Sequence, residues 1–170
     1  MSDTTTTPAA AADPTAIQIQ INAQYTKDFS FENPNAPASL QPKEQQPNIA
    51  VNVDVSASRV AESDLYEVVL KIDADAKRDT EQLFLAELTY AGLFTIKNVP
   101  QEQVTPLLLI ECPRLLFPFA RNIMAESTRD GGFPPLLIQP VDFAAMFRQS
   151  AANQAAAASS GPAAVVPPED

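Results

Sequence analysis

Histidine and tryptophan are absent from this 170-residue chain, and cysteine occurs once. Without histidine the commonest general base and the commonest metal ligand are gone, and with them every Ser-His-Asp or Cys-His arrangement. A lone thiol, Cys112, excludes an intrachain disulfide and a paired-cysteine metal site. The four glycines, Gly92, Gly131, Gly132 and Gly161, fit no phosphate-cradling spacing. No catalytic residue, no cofactor and no metal site is therefore expected. Carboxylate-pair chemistry stays open, although three tyrosines and no tryptophan make a poor sugar cleft.

Positive charge is scarce too: 11 Lys and Arg stand against 21 Asp and Glu, a net of -10. That argues against nucleic acid, which needs a basic face, and against an anionic membrane surface. An acidic protein is steered toward basic partners. No Lys or Arg precedes Lys27, and the opening MSDTTTTPAAAADPT has no apolar run, so no signal peptide is expected. No unbroken apolar run approaches the ~20 residues of a bilayer span. A cytoplasmic protein with no direct membrane insertion is the expectation.

What is present is a strong alternating pattern. Ile17, Ile19, Ile21, Ala23, Tyr25, Phe29 and Phe31 are apolar, and every even position from Gln18 to Glu32 is polar. Period-two alternation predicts a long strand with one wet face. At ~3.3 Å per residue it would run roughly 50 Å, long enough to bend or bulge. A proline-rich loop follows, then strands over 49–57, 65–76 and about 82–96, with Gly92 marking a bulge or a close backbone approach. Short turns between these strands favour an antiparallel meander.

From about residue 104 the period changes to a helical one. Leu108, Cys112, Leu115, Phe119 and Ile123 form a stripe that Leu116, Ala120 and Met124 widen. Pro106, Pro113 and Pro118 interrupt it, which predicts a long kinked helix, or a short piece followed by a longer one from about Pro113. The loop FPPLLIQP comes next. Asp142 then caps a second helix with Phe143, Met146 and Phe147 on one face. The fold class is α+β: a four-stranded antiparallel sheet followed by a long kinked helix and a short C-terminal helix. The domain is expected over 16–150, with disordered tails at 1–15 and at the Ala/Pro-rich 151–170, although the alanines of 151–158 could extend the second helix.

Five strings in this order, YTKDFSFENPNAP (25–37), LYEVVLKI (65–72), FLAELTYAGLF (84–94), CPRLLFPFAR (112–121) and FPPLLIQPVDFAAMF (133–147), resemble the SecB family of bacterial protein-export chaperones. The resemblance covers residues 17 to about 150. It implies an ATP-independent chaperone that holds unfolded precursor proteins and passes them to the SecA motor, assembled as a homotetramer, a dimer of dimers with the long helices between two sheets. The chain departs from the pattern at Ala86, where many relatives carry cysteine, at Ala91-Gly92, where they often have Gly-Gly, and in its longer tail.

By parity the sheet's polar faces carry Asp28, Glu32, Asp54, Glu67, Asp73, Asp75, Glu81 and Glu87 against Lys71 and Lys77. A solvated face is the plain reading of such charge. The resemblance implies instead that Asp28, Glu32, Leu85 and Glu87 bind SecA, and an apolar Leu85 amid carboxylates suits a docking patch. On the apolar side, Leu115, Leu116, Phe117, Phe119, Leu136, Leu137 and Ile138 exceed what one helix face hides. The surplus is assigned to client binding through Phe117, Leu136, Leu137, Ile138 and Met146. The subunit interface is assigned to Ala86, Leu88, Tyr90, Leu115, Phe119 and Ile123. Cys112 reads as a buried structural thiol. The alternatives are a SecB-like chaperone dedicated to one client, such as a toxin–antitoxin partner, and, from another class, a small-molecule-binding protein or carboxylate enzyme.

Overall fold

A computed structural model describes residues 16–159 apart from Glu62, with 154–159 described by backbone alone. The tails expected at 1–15 and from 160 onward lie outside the described residues. Four strands, β1 (Gln18–Glu32), β2 (Asn48–Arg59), β3 (Leu65–Arg78) and β4 (Glu81–Lys97), form one antiparallel sheet in the order β1-β4-β3-β2. The last three are the meander that the short turns predict. β1 joins its far side on β4, so the proline-rich loop after Glu32 carries the chain from one edge to the other.

One face of the sheet is the core. Val68, Leu70, Ile72, Ala74 and Ala76 of β3 and Phe84, Ala86, Leu88, Tyr90, Phe94 and Ile96 of β4 are buried there. β1 does not keep a single phase against β4. Its register shifts between Ile21 and Ala23 and again between Thr26 and Asp28. Ile19 and Ile21 stand opposite Ile96 and Phe94 on the core face, as do Phe29 and Phe31 opposite Leu88 and Ala86. Between the two shifts the alternation is inverted: Ala23 and Tyr25 stand opposite Leu93 and Ala91 on the outer face, and Gln24 turns inward. Each bulge inserts one unpaired residue and reverses the side-chain parity. A similar shift between Ala76 and Lys77 moves Glu81 off the outer face, to pair with Arg78.

The helical segment is continuous. Helix α1 (Gln101–Pro106) runs through a π-helical turn (Leu107–Glu111) into α2 (Cys112–Asp130). Pro113 has no N–H to return to the carbonyl four residues back, so a wider turn just ahead of it is the physical outcome. α2 crosses the core face over β3 and β4. Its buried row is Cys112, Leu116, Ala120, Met124 and Thr128, which Leu108 of the π turn extends. At Gly92 helix and sheet come close: an added Cβ would lie 2.7 Å from a methyl of Leu116.

The loop after α2 is tied down by Thr128, which is fully buried. Its hydroxyl donates back to the carbonyls of Met124 and Ala125 at 3.0 Å and accepts the N–H of Leu136 at 2.8 Å. Asp142 caps α3 (Phe143–Ser159) by accepting the N–H of Ala145 on Oδ1 at 2.9 Å. α3 runs to Ser159, past the boundary expected at residue 150, along the alanines of 151–158.

Candidate functional surfaces

The outer face of the sheet is a grid set by strand register. One row across β1, β4, β3 and β2 reads Asp28, Thr89, Lys71, Asp54. The next reads Ser30, Glu87, Asp73, Asn52, and the third Glu32, Leu85, Asp75, Ala50. Residues directly opposite on neighbouring antiparallel strands share a face. The structure therefore brings Asp28, Glu32, Leu85 and Glu87 onto one face within three rows. Leu85 is flanked by Glu32 and Asp75, at a shallow hollow of about 280 Å³ that Asn52, Asp73, Asp75 and Glu87 also line.

Charge on this face is partly neutralised from within. Lys27 pairs with Glu67 at 3.0 Å, Lys71 with Asp73 at 3.2 Å and Lys77 with Asp75 at 2.7 Å. The inverted phase of β1 places Tyr25 over Ala91, from where its hydroxyl reaches across β4 to donate to Glu67 on β3. That bond, and then the one from Lys27, hold the Glu67 carboxyl below its usual range. Gln82 first and Lys77 next do the same for Asp75. Among the described residues Asp28, Glu32, Asp54 and Glu87 have no basic partner within ion-pair distance. These four are free to meet a cation from outside.

The other surface is apolar and lies at the β2 edge. A hollow of about 390 Å³ opens between β2, the π turn and α3, lined by Val55, Leu109, Phe143, Met146 and Phe147, with Asp54, Thr105 and Ser150 at its margin. Ile49 and Val51 continue the apolar row of β2 away from it, both more than a third exposed. Among the described residues no group of three or more Cys, Asp or Glu is gathered to hold a metal ion, and no helix is long and apolar enough to cross a membrane.

The family model described as preprotein translocase subunit SecB matches residues 12–154. The chain belongs to the SecB family. The protein-export protein SecB of Nitrobacter winogradskyi is 57% identical over 152 residues, covering 89% of this chain and 93% of the relative. That of Maricaulis maris is 53% identical over 158 residues, covering 93% and 91%. Among solved structures, a SecB-like chaperone of Mycobacterium tuberculosis, in complex with a ChAD peptide from the HigA1 antitoxin, superposes with a TM-score of 0.60 at 17% identity. It covers 72% of this chain and 90% of that one, and it shows the same fold. SecB membership makes the chain a protein-export chaperone.

Within this SecB chain the residues assigned to the apolar surfaces part company. Ala86, Leu88 and Tyr90 are 1%, 0% and 7% exposed, because α2 of the same chain already covers them. They are core within the single chain. Leu115 and Phe119 are 44% and 52% exposed on the flank of α2 next to its buried row, while Ile123 is half-buried. Of the client residues, Phe117 and Ile138 are buried, and Phe117 packs edge-on to Phe143 with ring centroids 6.0 Å apart. Leu136 and Met146 are half-buried and Leu137 is exposed. Sequence reading overlooked Leu109 and Val55 in the hollow and Thr128 beneath the loop. A polar residue continuing the four-residue spacing 112, 116, 120, 124 was the available signal for Thr128.

Proposed function

We propose that this SecB-family chain is an ATP-independent holdase that keeps precursor proteins unfolded in the cytosol and delivers them to the SecA motor, with no catalytic step of its own. The observation that carries this reading is the division of labour across one sheet. The outer face presents uncompensated carboxylates around Leu85, suited to a basic docking partner. The β2 edge and α3 present an apolar hollow with exposed rows beside it, suited to unfolded chain. Asp28, Glu32, Leu85 and Glu87 are the proposed SecA contacts. Leu137 and Met146, joined by Leu109, Phe147 and the half-buried Leu136, are the proposed client surface.

The proposed assembly is a dimer of dimers. Leu115 and Phe119 are the apolar side chains that α2 leaves uncovered, and Ile19, Ile21 and Phe29 on edge strand β1, with Ile17 just ahead of it, add an exposed row. Large exposed apolar area of this kind is what a second subunit hides. The dedicated-client alternative draws only on a fold likeness at 17% identity, against 53–57% identity to protein-export proteins.

The test is a slow-folding precursor offered with and without this protein, no nucleotide present. Slowed folding, with no binding to the same precursor once folded, is expected. Equal binding to both forms, or a need for ATP, would overturn the reading.

A further inference from the structure

Lys71 occupies an unusual place on the acidic face. It stands between Thr89 and Asp54 in the first row, and the second row beside it holds Glu87 and Asp73. Its ammonium lies 3.2 Å from Oδ1 of Asp73, the two side chains being 46% and 31% exposed. Asp73 first, then Glu87 and Asp54, raise the Lys71 pKa above its usual value. Asp73 and Glu87 also line the hollow at Leu85. The chain thus places its own cation against Asp73, one of the carboxylates that border the apolar centre of the patch.

We propose that Lys71 is a displaceable internal counter-ion of the docking face. An incoming segment that seats an apolar side chain at Leu85 and carries a cation beside it takes Asp73 over from Lys71 and pairs with the free Glu87. Lys71 then sets a threshold: it weakens binding of every cationic segment by like-charge repulsion, and only a segment with both the apolar and the cationic group regains what displacement costs. This inference rests on the docking reading above. Lys71 is 46% exposed, and an ion pair at such a site contributes little to stability.

The experiment titrates purified SecA against the full-length chain, its Lys71→Gln and Lys71→Arg variants, and the triple variant Asp28→Asn, Glu32→Gln, Glu87→Gln. Low and high salt are compared, since screening shortens from ~10 Å at 0.1 M to ~3 Å at 1 M. Lys71→Gln is expected to tighten binding roughly two- to five-fold at low salt, the scale of one exposed charge pair. Lys71→Arg should match the parent, and the difference should vanish at high salt. If Lys71→Gln binds as the parent does or more weakly while the triple variant loses binding, the counter-ion role is wrong and the docking reading stands. If the parent fails to bind, or the triple variant binds as well as the parent, the docking reading falls and takes this inference with it.

Discussion

The N–H of Leu136 donates to the hydroxyl of Thr128 at 2.8 Å, joining the apolar loop to the end of α2 by a part-buried bond. The same hydroxyl gives its proton back to the helix, so both of its roles are filled. Thr128→Val keeps the shape and removes the acceptor. Stranding that N–H should cost about 1–3 kcal/mol. Chemical denaturation should show the loss, and amide exchange at Leu136 should quicken. An unchanged midpoint with a protected Leu136 amide would refute the anchoring role.

Leu115 and Phe119 test the assembly without touching the core. Changing both to glutamate should yield smaller species by sedimentation, with secondary structure retained. Leu88→Glu, by contrast, places an unpaired charge among side chains with no exposure and should prevent folding. A double variant with the parent's mass would move the interface elsewhere.

Neighbouring loop residues should separate holding from stability. Leu137 is 61% exposed, so Leu137→Ser should weaken client holding and leave the melting point nearly unchanged. Ile138 is 7% exposed, and Ile138→Ser should cost about 2–5 kcal/mol of stability through the cavity it opens. Equal effects of the two on holding, with equal loss of stability, would contradict their different placement.

The Cys112 thiol is fully buried, and burial, with Glu111 nearby, pushes its pKa up to about 12 from 9.0. In the folded chain it stays protonated where the unfolded chain begins to ionise. Stability from this group is therefore complete below pH 9 and falls as pH rises from there toward 12. Native protein at pH 8 should resist thiol reagents and react once denatured. Cys112→Ala should flatten the alkaline fall in stability; rapid labelling of native protein would show the thiol to be accessible.

The strands, their order along the chain, the helical segment, the Asp142 cap and the tight spot at Gly92 were legible because each has a local cause: parity, turn chemistry, a capping side chain, a missing Cβ. The inverted stretch of β1 was not, since Ala23 is small and Tyr25 is amphipathic, and either face accepts them. The buried row of α2 was ambiguous for a related reason. The series 108, 112, 116, 120, 124 and the series 115, 119, 123 are both apolar, and the π turn together with the close approach at Gly92 decides which one meets the sheet. Leu88 and Tyr90 were read as interface because nothing in a strand's alternation says whose helix covers it. The acidic face was legible, apart from Glu81, because β2, β3 and β4 pair without a break through their middles and the two shifts of β1 cancel before Asp28 and Glu32.

The paired irregularities of β1 make the strand's length a matter of arithmetic. Gln18–Glu32 of β1 lies along Leu85–Lys97 of β4 with Asn22 and Lys27 left over, so the strand holds two residues more than its pairing needs. Losing either one would remove one irregularity and leave every cross-strand pair in place, with Phe29 and Phe31 still opposite Leu88 and Ala86. Losing both would straighten the strand and keep the same pairs. A third loss would find no spare residue and would turn Phe29 and Phe31 toward the carboxylates. In this stretch, one or two lost residues should therefore be tolerated and a third rejected.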